Sequence, residues 1–248
     1  MDEISVSQSG GVTHIRINRP GKRNALTAAM YAAIADAIGA AEGCAIILSG
    51  EGGMFCAGND LADFVGSPPR GDDAPVFRFI RAIATTPLIL IAAVHGRCIG
   101  IGTTMLLHCD FVVAEADAVL QMPFVDLALV PEAASSLLVP RLIGHQRAAE
   151  LLLLGEPMDA ARAQALGFVN RVVGAGEALN EAEALAARLA AKPAAALLRT
   201  KRLMKSASLD VLTRVGEESR EFGAQLQTQE LKDTVARFFA ARAKAAAA

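Results

Sequence analysis

Three short apolar runs, Ala45-Ile46-Ile47-Leu48, Leu88 to Val94 and Phe111-Val112-Val113-Ala114, pass without a polar interruption. Runs of that length and composition suit strands buried on both faces, as in a sheet covered by helices. Helix-period segments lie between them. One opens at Thr27, whose hydroxyl suits an N-cap, and runs through Ala-rich sequence to about Ala41; another covers Val76–Ala84. Ahead of both, Ile4-Ser5-Val6-Ser7 and Val12-Thr13-His14-Ile15-Arg16-Ile17 alternate about Gly10-Gly11, the pattern of a β-hairpin. From Ala133 the pattern turns helical, interrupted by Phe168-Val169-Asn170-Arg171-Val172-Val173. Leu212, Val215, Phe222, Leu226, Val235 and Phe238 predict one long amphipathic helix near the C-terminus. Strands and helices first, then helices alone, predict an α/β core over residues 1–192 and a helical region over 193–248. The change falls near Lys192-Pro193. So much apolar surface on a terminal helical arm predicts contacts with further copies of the chain.

Composition narrows the function classes. At 248 residues and 53% hydrophobic, the chain can bury a substantial core. A net charge of −2 offers no basic field for nucleic acid. Cys44, Cys56, Cys98 and Cys109 form no C-x-x-C pair, so the reading is reduced, buried thiols with neither a zinc site nor a disulfide framework. The opening Met1-Asp2-Glu3 shows no secretory pattern, and Leu88 to Val94 is too short to span a bilayer. These features predict a soluble, cytoplasmic protein.

Two glycine-punctuated segments carry the chemistry. Phe55-Cys56-Ala57-Gly58-Asn59-Asp60-Leu61 follows a strand, and its small residues let a ligand approach the backbone. Gly100-Ile101-Gly102 follows the next strand and opens a helix, whose N-terminus adds partial positive charge. Together they can hold one oxyanion between two N–H donors. A dinucleotide-binding reading of Gly96 to Gly102 fails on spacing, because the glycines do not spell G-x-G-x-x-G and the segment lies mid-chain.

In order along the chain, Asn18-Arg19-Pro20-Gly21-Lys22-Arg23-Asn24-Ala25-Leu26, Phe55 to Leu61, Ala93-Val94-His95-Gly96 through Gly102, Cys109-Asp110, Pro140-Arg141-Leu142-Ile143-Gly144 and Gly167 to Val173 resemble the motifs of the crotonase (enoyl-CoA hydratase/isomerase) superfamily. The resemblance covers most of residues 12–205. It implies a spiral of ββα units with a C-terminal helical extension, assembled as a homotrimer or dimer of trimers. It implies oxyanion donors at the backbone N–H groups of Ala57 and Ile101. Coenzyme A, as part of an acyl-CoA substrate and not a separate cofactor, would lie along Arg23, Ala25, Ala57, Gly58, Asn59, Asp60, Leu61, Gly100 and Ile101. No metal, nucleic acid or membrane enters this reading. The sequence departs from the family pattern at His95, where Asn is usual, and at Ile101, in place of the middle glycine of a G-G-G run.

Carboxylates discriminate the reaction. Hydratases of the family use two glutamates, and the resembling positions here are Thr104 and Phe124. Val130-Pro131-Glu132-Ala133-Ala134-Ser135-Ser136 resembles instead the segment of Δ3,Δ2-enoyl-CoA isomerases, in which one glutamate is the catalytic base. That implies Glu132 as the base of a shift from 3-enoyl-CoA to 2-enoyl-CoA. The alternatives are a hydratase (lyase) using another carboxylate, with Asp126 the second candidate, and a non-catalytic CoA-binding relative. A glutamate following proline at a helix start is also favourable with the dipole alone. Cys56 and the four histidines (His14, His95, His108, His145) read as structural. Arg199, Lys201, Arg202 and Lys205 form a basic cluster with two readings, a solvated helix face or a contact to CoA phosphates.

Overall fold

The computed structural model describes residues 2–69, 71, 73–205 and 208–247. The polar, Pro/Gly-rich stretch Val65 to Pro75 reads as a loop from sequence; of it, Arg70 and Asp72 lie outside the described residues. The hairpin forms as expected from β1 (Ile4–Ser9) and β2 (Val12–Ile17). The cap at Thr27 also forms, accepting the Met30 N–H at 3.3 Å at the start of α1 (Ala28–Gly39).

Beyond the hairpin, each turn of chain places one strand in a main sheet, adds one to a smaller sheet, and returns through helix. β3 (Ala45–Gly50) leads to α2 (Leu61–Gly66) and α3 (Pro75–Thr85). β4 (Ile89–Val94) leads through β5 (Arg97–Ile99) to α4 (Ile101–Thr104) and a 3-10 turn over Met105–His108. β6 (Phe111–Glu115) leads through β7 (Val119–Gln121) to α5 (Ser135–Ile143) and α6 (His145–Leu153). β8 (Met158–Asp159), α7 (Ala160–Ala165) and β9 (Arg171–Val173) complete the last turn. The main sheet runs β1-β2-β3-β4-β6-β9, parallel from β2 onward, and the smaller runs β5-β7-β8. A parallel bridge from Cys56 to Cys98 extends the smaller sheet by one position on the β3 turn.

Strand alternation explains the two cores. Ala45, Ile47, Ile89, Ile91, Ala93 and Val113 pack on one side of the main sheet against Ala182, Leu185, Ala186 and Leu189 of α8 (Ala178–Ala190). Ile46, Leu48, Leu90, Ala92, Val94 and Val112 face the other side, into the larger core with α1 and α3. Both faces are apolar, which is why these strands read as unbroken runs.

Three helices follow: α9 (Ala194–Met204), α10 (Ser208–Gln225) and α11 (Gln229–Ala247). The single long helix expected from Leu212 to Phe238 is therefore two. The break falls at Leu226-Gln227-Thr228, where the Thr228 hydroxyl accepts the Leu231 N–H at 3.2 Å and caps α11. The apolar spacing continued across the break because Leu226 and Leu231 both reach the larger core, as do Val215 and Phe222 of α10. Among the described residues, no helix is long and apolar enough to cross a membrane.

Asn24 ties the segment after β2 to the loop after β3. It is fully buried, with φ +56°, and its amide donates to the carbonyls of Glu51 (2.8 Å) and Met54 (2.7 Å) while accepting the Arg19 N–H at 2.9 Å. Asn24→Ala removes these partners and places alanine in the left-handed region. Urea denaturation should show a loss of about 2–4 kcal/mol. A loss below about 1 kcal/mol would show that the amide is not the tie it looks to be.

Candidate active site

The segment Phe55–Asp60 is held between two neighbours. On one edge the Phe55 and Cys56 N–H groups donate to the carbonyls of His95 (2.9 Å) and Arg97 (3.3 Å), and the Ile99 N–H donates back to Cys56 at 2.9 Å. On the other edge the Leu26 N–H donates to the Gly58 carbonyl and the Asp60 N–H to the Leu26 carbonyl, both at 2.8 Å. Two glycines permit this closeness. A Cβ on Gly58, at φ +93°, would stand 2.9 Å from the Ile99 carbonyl oxygen, and one on Gly102 would stand 2.7 Å from that of Cys56.

This pairing decides which N–H groups are available. The sequence placed the first donor at Ala57, but that N–H is donated to the Arg23 carbonyl at 3.1 Å. In the parallel bridge with Leu26, the groups flanking Asn59 make the bonds, so Asn59's own N–H turns to the opposite edge, toward Ile99 and Gly100. Ile101 holds the first helical position of α4, where an N–H has no intrahelical acceptor. Among the described residues neither the Asn59 nor the Ile101 N–H has an acceptor.

Glu132 stands on a tight turn before α5. Ala133 (φ +59°) and Ala134 (φ +56°) are both left-handed, and the Glu132 carbonyl accepts from the Ser135 N–H (3.1 Å) and hydroxyl (2.7 Å). The His108 ring nitrogen Nε2 donates to the Ala133 carbonyl at 2.8 Å, and burial pushes this histidine down to about 4, so it serves as a neutral donor. The Glu132 side chain is 4% exposed and has no cationic partner among the described residues. Its two oxygens receive long bonds, 3.4 and 3.5 Å, from Asn59 Nδ2, and the Tyr31 hydroxyl donates to Asn59 Oδ1, fixing which way the amide points. Burial pushes the Glu132 carboxyl up to about 8, against the Asn59 hydrogen bond and with the negative charge of Glu218.

One cavity of about 1140 Å³ gathers the expected residues. Arg23, Ala25, Ala57, Gly58, Asn59, Asp60, Leu61, Gly100 and Glu132 all line it. Ile101 does not; its side chain is in the core behind the loop. Lys22, Arg97 and Arg237 join Arg23 as cations on the wall, and Phe238 and Phe239 of α11 add an aromatic pair with ring centroids 5.9 Å apart. Asp60 caps α2 and pairs with Arg19 at 2.7 Å; burial opposes the charge, but the Arg19 hydrogen bond and the cap hold Asp60 below the ordinary carboxylate range.

Other candidates separate on geometry. Asp126 lines the same cavity but is exposed. Phe124 also lines it and is buried, while the buried Thr104 hydroxyl has no hydrogen-bond partner among the described residues. Burial pushes the Cys56 thiol up to about 12, so it carries no thiolate near neutral pH. The α9 basic cluster divides. Arg199 and Arg202 are exposed, while Lys201 pairs with Asp110 at 2.6 Å and Lys205 donates to the His108 carbonyl at 2.6 Å, so both lysines point inward.

Sequence reasoning passed over Tyr31 and Glu218. The chain's one tyrosine, set in an Ala-rich helix, was the available signal for the first. Glu218, beside Glu217 in a charged helix, gave none.

A sequence profile described as Enoyl-CoA hydratase/isomerase matches residues 7–245. Enoyl-CoA delta isomerase 2 of Rattus norvegicus is 36% identical over 178 residues, covering 68% of this chain and 46% of that protein. The chain thus spans about half the length of that curated relative. Among solved structures, Pseudomonas aeruginosa OdaA superposes with a TM-score of 0.93 at 37% identity, covering 96% of this chain and 99% of that one. An enoyl-CoA hydratase/isomerase from Pseudoalteromonas atlantica T6c gives a TM-score of 0.92 at 37% identity, with 96% and 97% covered.

A carboxyl that protonates more readily folded than unfolded stabilises the fold most at low pH. For Glu132 that contribution is complete below its ordinary 4.5 and is lost as pH rises toward about 8. Glu132→Gln has no charge to bury, so its stability relative to wild type should increase across that window. Unfolding of both proteins at about pH 5 and about pH 9 measures this. An equal difference at the two pH values would contradict a buried, proton-holding Glu132.

Proposed function

Because the chain belongs to the enoyl-CoA hydratase/isomerase family, with its crotonase-type α/β fold, we propose that it converts 3-enoyl-CoA to 2-enoyl-CoA. Glu132 acts as the single base. Its carboxylate removes a C2 proton; the electrons pass into a dienolate whose oxygen is held by the Asn59 and Ile101 N–H groups; the protonated Glu132 then returns the proton to C4. Ala57, the donor expected from sequence, gives way to Asn59 because its N–H is already engaged. Preorganised donors of this kind typically supply about 3–4 kcal/mol each of transition-state stabilisation.

The observation that carries this reading is one buried carboxyl, raised to about 8, on the wall of the cavity. A group that must first accept and then release the same proton works best with a pKa near the working pH. The two positions that resemble hydratase glutamates hold Thr104 and Phe124, neither able to take that part. Arg23, Lys22, Arg97 and Arg237 offer charge complementary to CoA phosphates. Coenzyme A enters as part of the substrate, with no separate cofactor. Exposed Leu153, Leu154, Leu203, Met204 and Leu209 support self-association; a homotrimer or dimer of trimers, and a place in the cytoplasm, complete the proposal.

A side-by-side assay of 3-enoyl-CoA isomerisation and 2-enoyl-CoA hydration tests the reading. Glu132→Gln should cut the isomerisation kcat by roughly 10²–10⁴-fold. In wild type, kcat/KM should climb with pH and level off above about 8, as the free carboxyl ionises. Hydration that persists in the variant would sink the isomerase reading and direct attention to Asp126.

A further inference from the structure

We infer that Glu218 is a positioning residue for the active site: a buried carboxylate on α10 that clamps the turn presenting Glu132 to the cavity. The inference rests on the proposed reaction only for what Glu132 does.

Ala133 and Ala134 occupy the left-handed region consecutively, and neither is glycine. Each such residue is disfavoured by about 1–2 kcal/mol, so a pair persists only where its surroundings hold it. Glu218 supplies the hold. Oε2 accepts the Ala134 N–H at 2.5 Å, and Oε1 accepts the Ser136 N–H at 2.9 Å and the Ser136 hydroxyl at 2.6 Å. These N–H groups begin α5, so the carboxylate also lies at that helix's positive end. Arg214 Nη1 donates to Ser136 Oγ at 3.1 Å and completes the cluster. From the opposite direction His108 holds the Ala133 carbonyl. The turn is gripped on both sides, with Glu132 one residue ahead of the gripped pair.

Burial pushes the Glu218 carboxyl above its ordinary value, while the bonds from Ser136 and Ala134 and the charge of Arg214 favour its ionised form. Its side chain is 6% exposed and does not line the cavity, and a carboxylate so buried is tolerated only when its oxygens are bonded. Every hydrogen-bond donor it has among the described residues comes from residues 134–136. Its charge also acts on Glu132. The groups facing Glu132 are Tyr31, Asn59 and Cys56 from one side, neutral His108 beneath the turn, and Glu218 from α10. Of these, Glu218 is the one whose negative charge opposes ionisation of Glu132.

The experiment combines steady-state kinetics with carbon NMR titration of glutamate-labelled carboxyls, Glu132 being assigned by its loss in Glu132→Gln. In Glu218→Gln the Glu132 midpoint should move down from about 8, and kcat should fall roughly tenfold or more while KM stays within about twofold. Ser136→Ala keeps the charge and removes one donor, so kcat should fall severalfold with the midpoint unmoved. A folded Glu218→Gln with wild-type midpoint and wild-type kcat overturns the clamp. Should that variant fail to fold, wild-type kcat in Ser136→Ala overturns it instead. Should the wild type isomerise nothing, the isomerase reading alone fails; faster amide exchange at Ala134 and Ser136 in folded Glu218→Gln then supports the clamp, and unchanged exchange overturns it.

Discussion

Between Phe55 and Asp60 the backbone is hydrogen bonded along both edges, to residues 95–99 on one side and to residues 23–26 on the other. With those neighbours the segment joins three successive turns of the spiral, its own and the two flanking it, so this is where the turns are locked in register. The locking leaves few N–H groups unspent. With Ala57 committed to Arg23 and Asp60 to Leu26, the backbone itself selects Asn59 as the donor that faces the loop before α4. The same residue sends its side chain to Glu132. The proposed donor and the proposed base are thus referenced to one residue, whose amide orientation is fixed in turn by Tyr31.

Much of this was legible in the residues, for physical reasons that differ by element. The doubly buried strands betrayed themselves as unbroken apolar runs, and Thr27 announced its helix because a cap needs only one side chain. The glycines at 58 and 102 were visible as such, and the structure shows the cause in carbonyls that stand where a Cβ would be. What stayed hidden depends on backbone direction or on distant partners. No residue type marks an N–H as already donated, so Ala57 and Asn59 looked alike. β5, β7 and β8 have two or three residues each, too few for a period to emerge. The break between α10 and α11 lies inside a continuing apolar stripe. Lys201 looked solvated because its partner Asp110 lies far away in sequence.

Burying Glu132 without a cation is costly if the group must be charged, and cheap if it can keep its proton. A guanidinium alongside would remove the cost and the function together, since a carboxylate held far below neutrality cannot retain the proton it has taken. The structure instead surrounds the group with Asn59, a dipole too distant for a strong bond, and sets a second carboxylate behind it. Cations occur on the same cavity wall at Arg23, Arg97 and Arg237, yet none pairs with Glu132. In the proposed reaction, the cations that would meet CoA phosphates and the carboxyl that would move the proton are thereby kept apart.

That separation bears on why the proposed reaction is an allylic shift and not addition of water. Hydration needs a water molecule held and activated while a second group protonates the neighbouring carbon, so at least two polar groups must converge beside the double bond. Here the ring of Phe124 lies against the loop at Gly100, its Cε1 within 4.0 Å of where a Cβ would stand, and the Thr104 hydroxyl is buried with no hydrogen-bond partner among the described residues. An apolar ring in that place offers an attacking water no hydrogen bond of its own. In the proposed reaction the Asn59 and Ile101 dipoles then act on the developing enolate, and Glu132 returns the C2 proton to the same intermediate at C4.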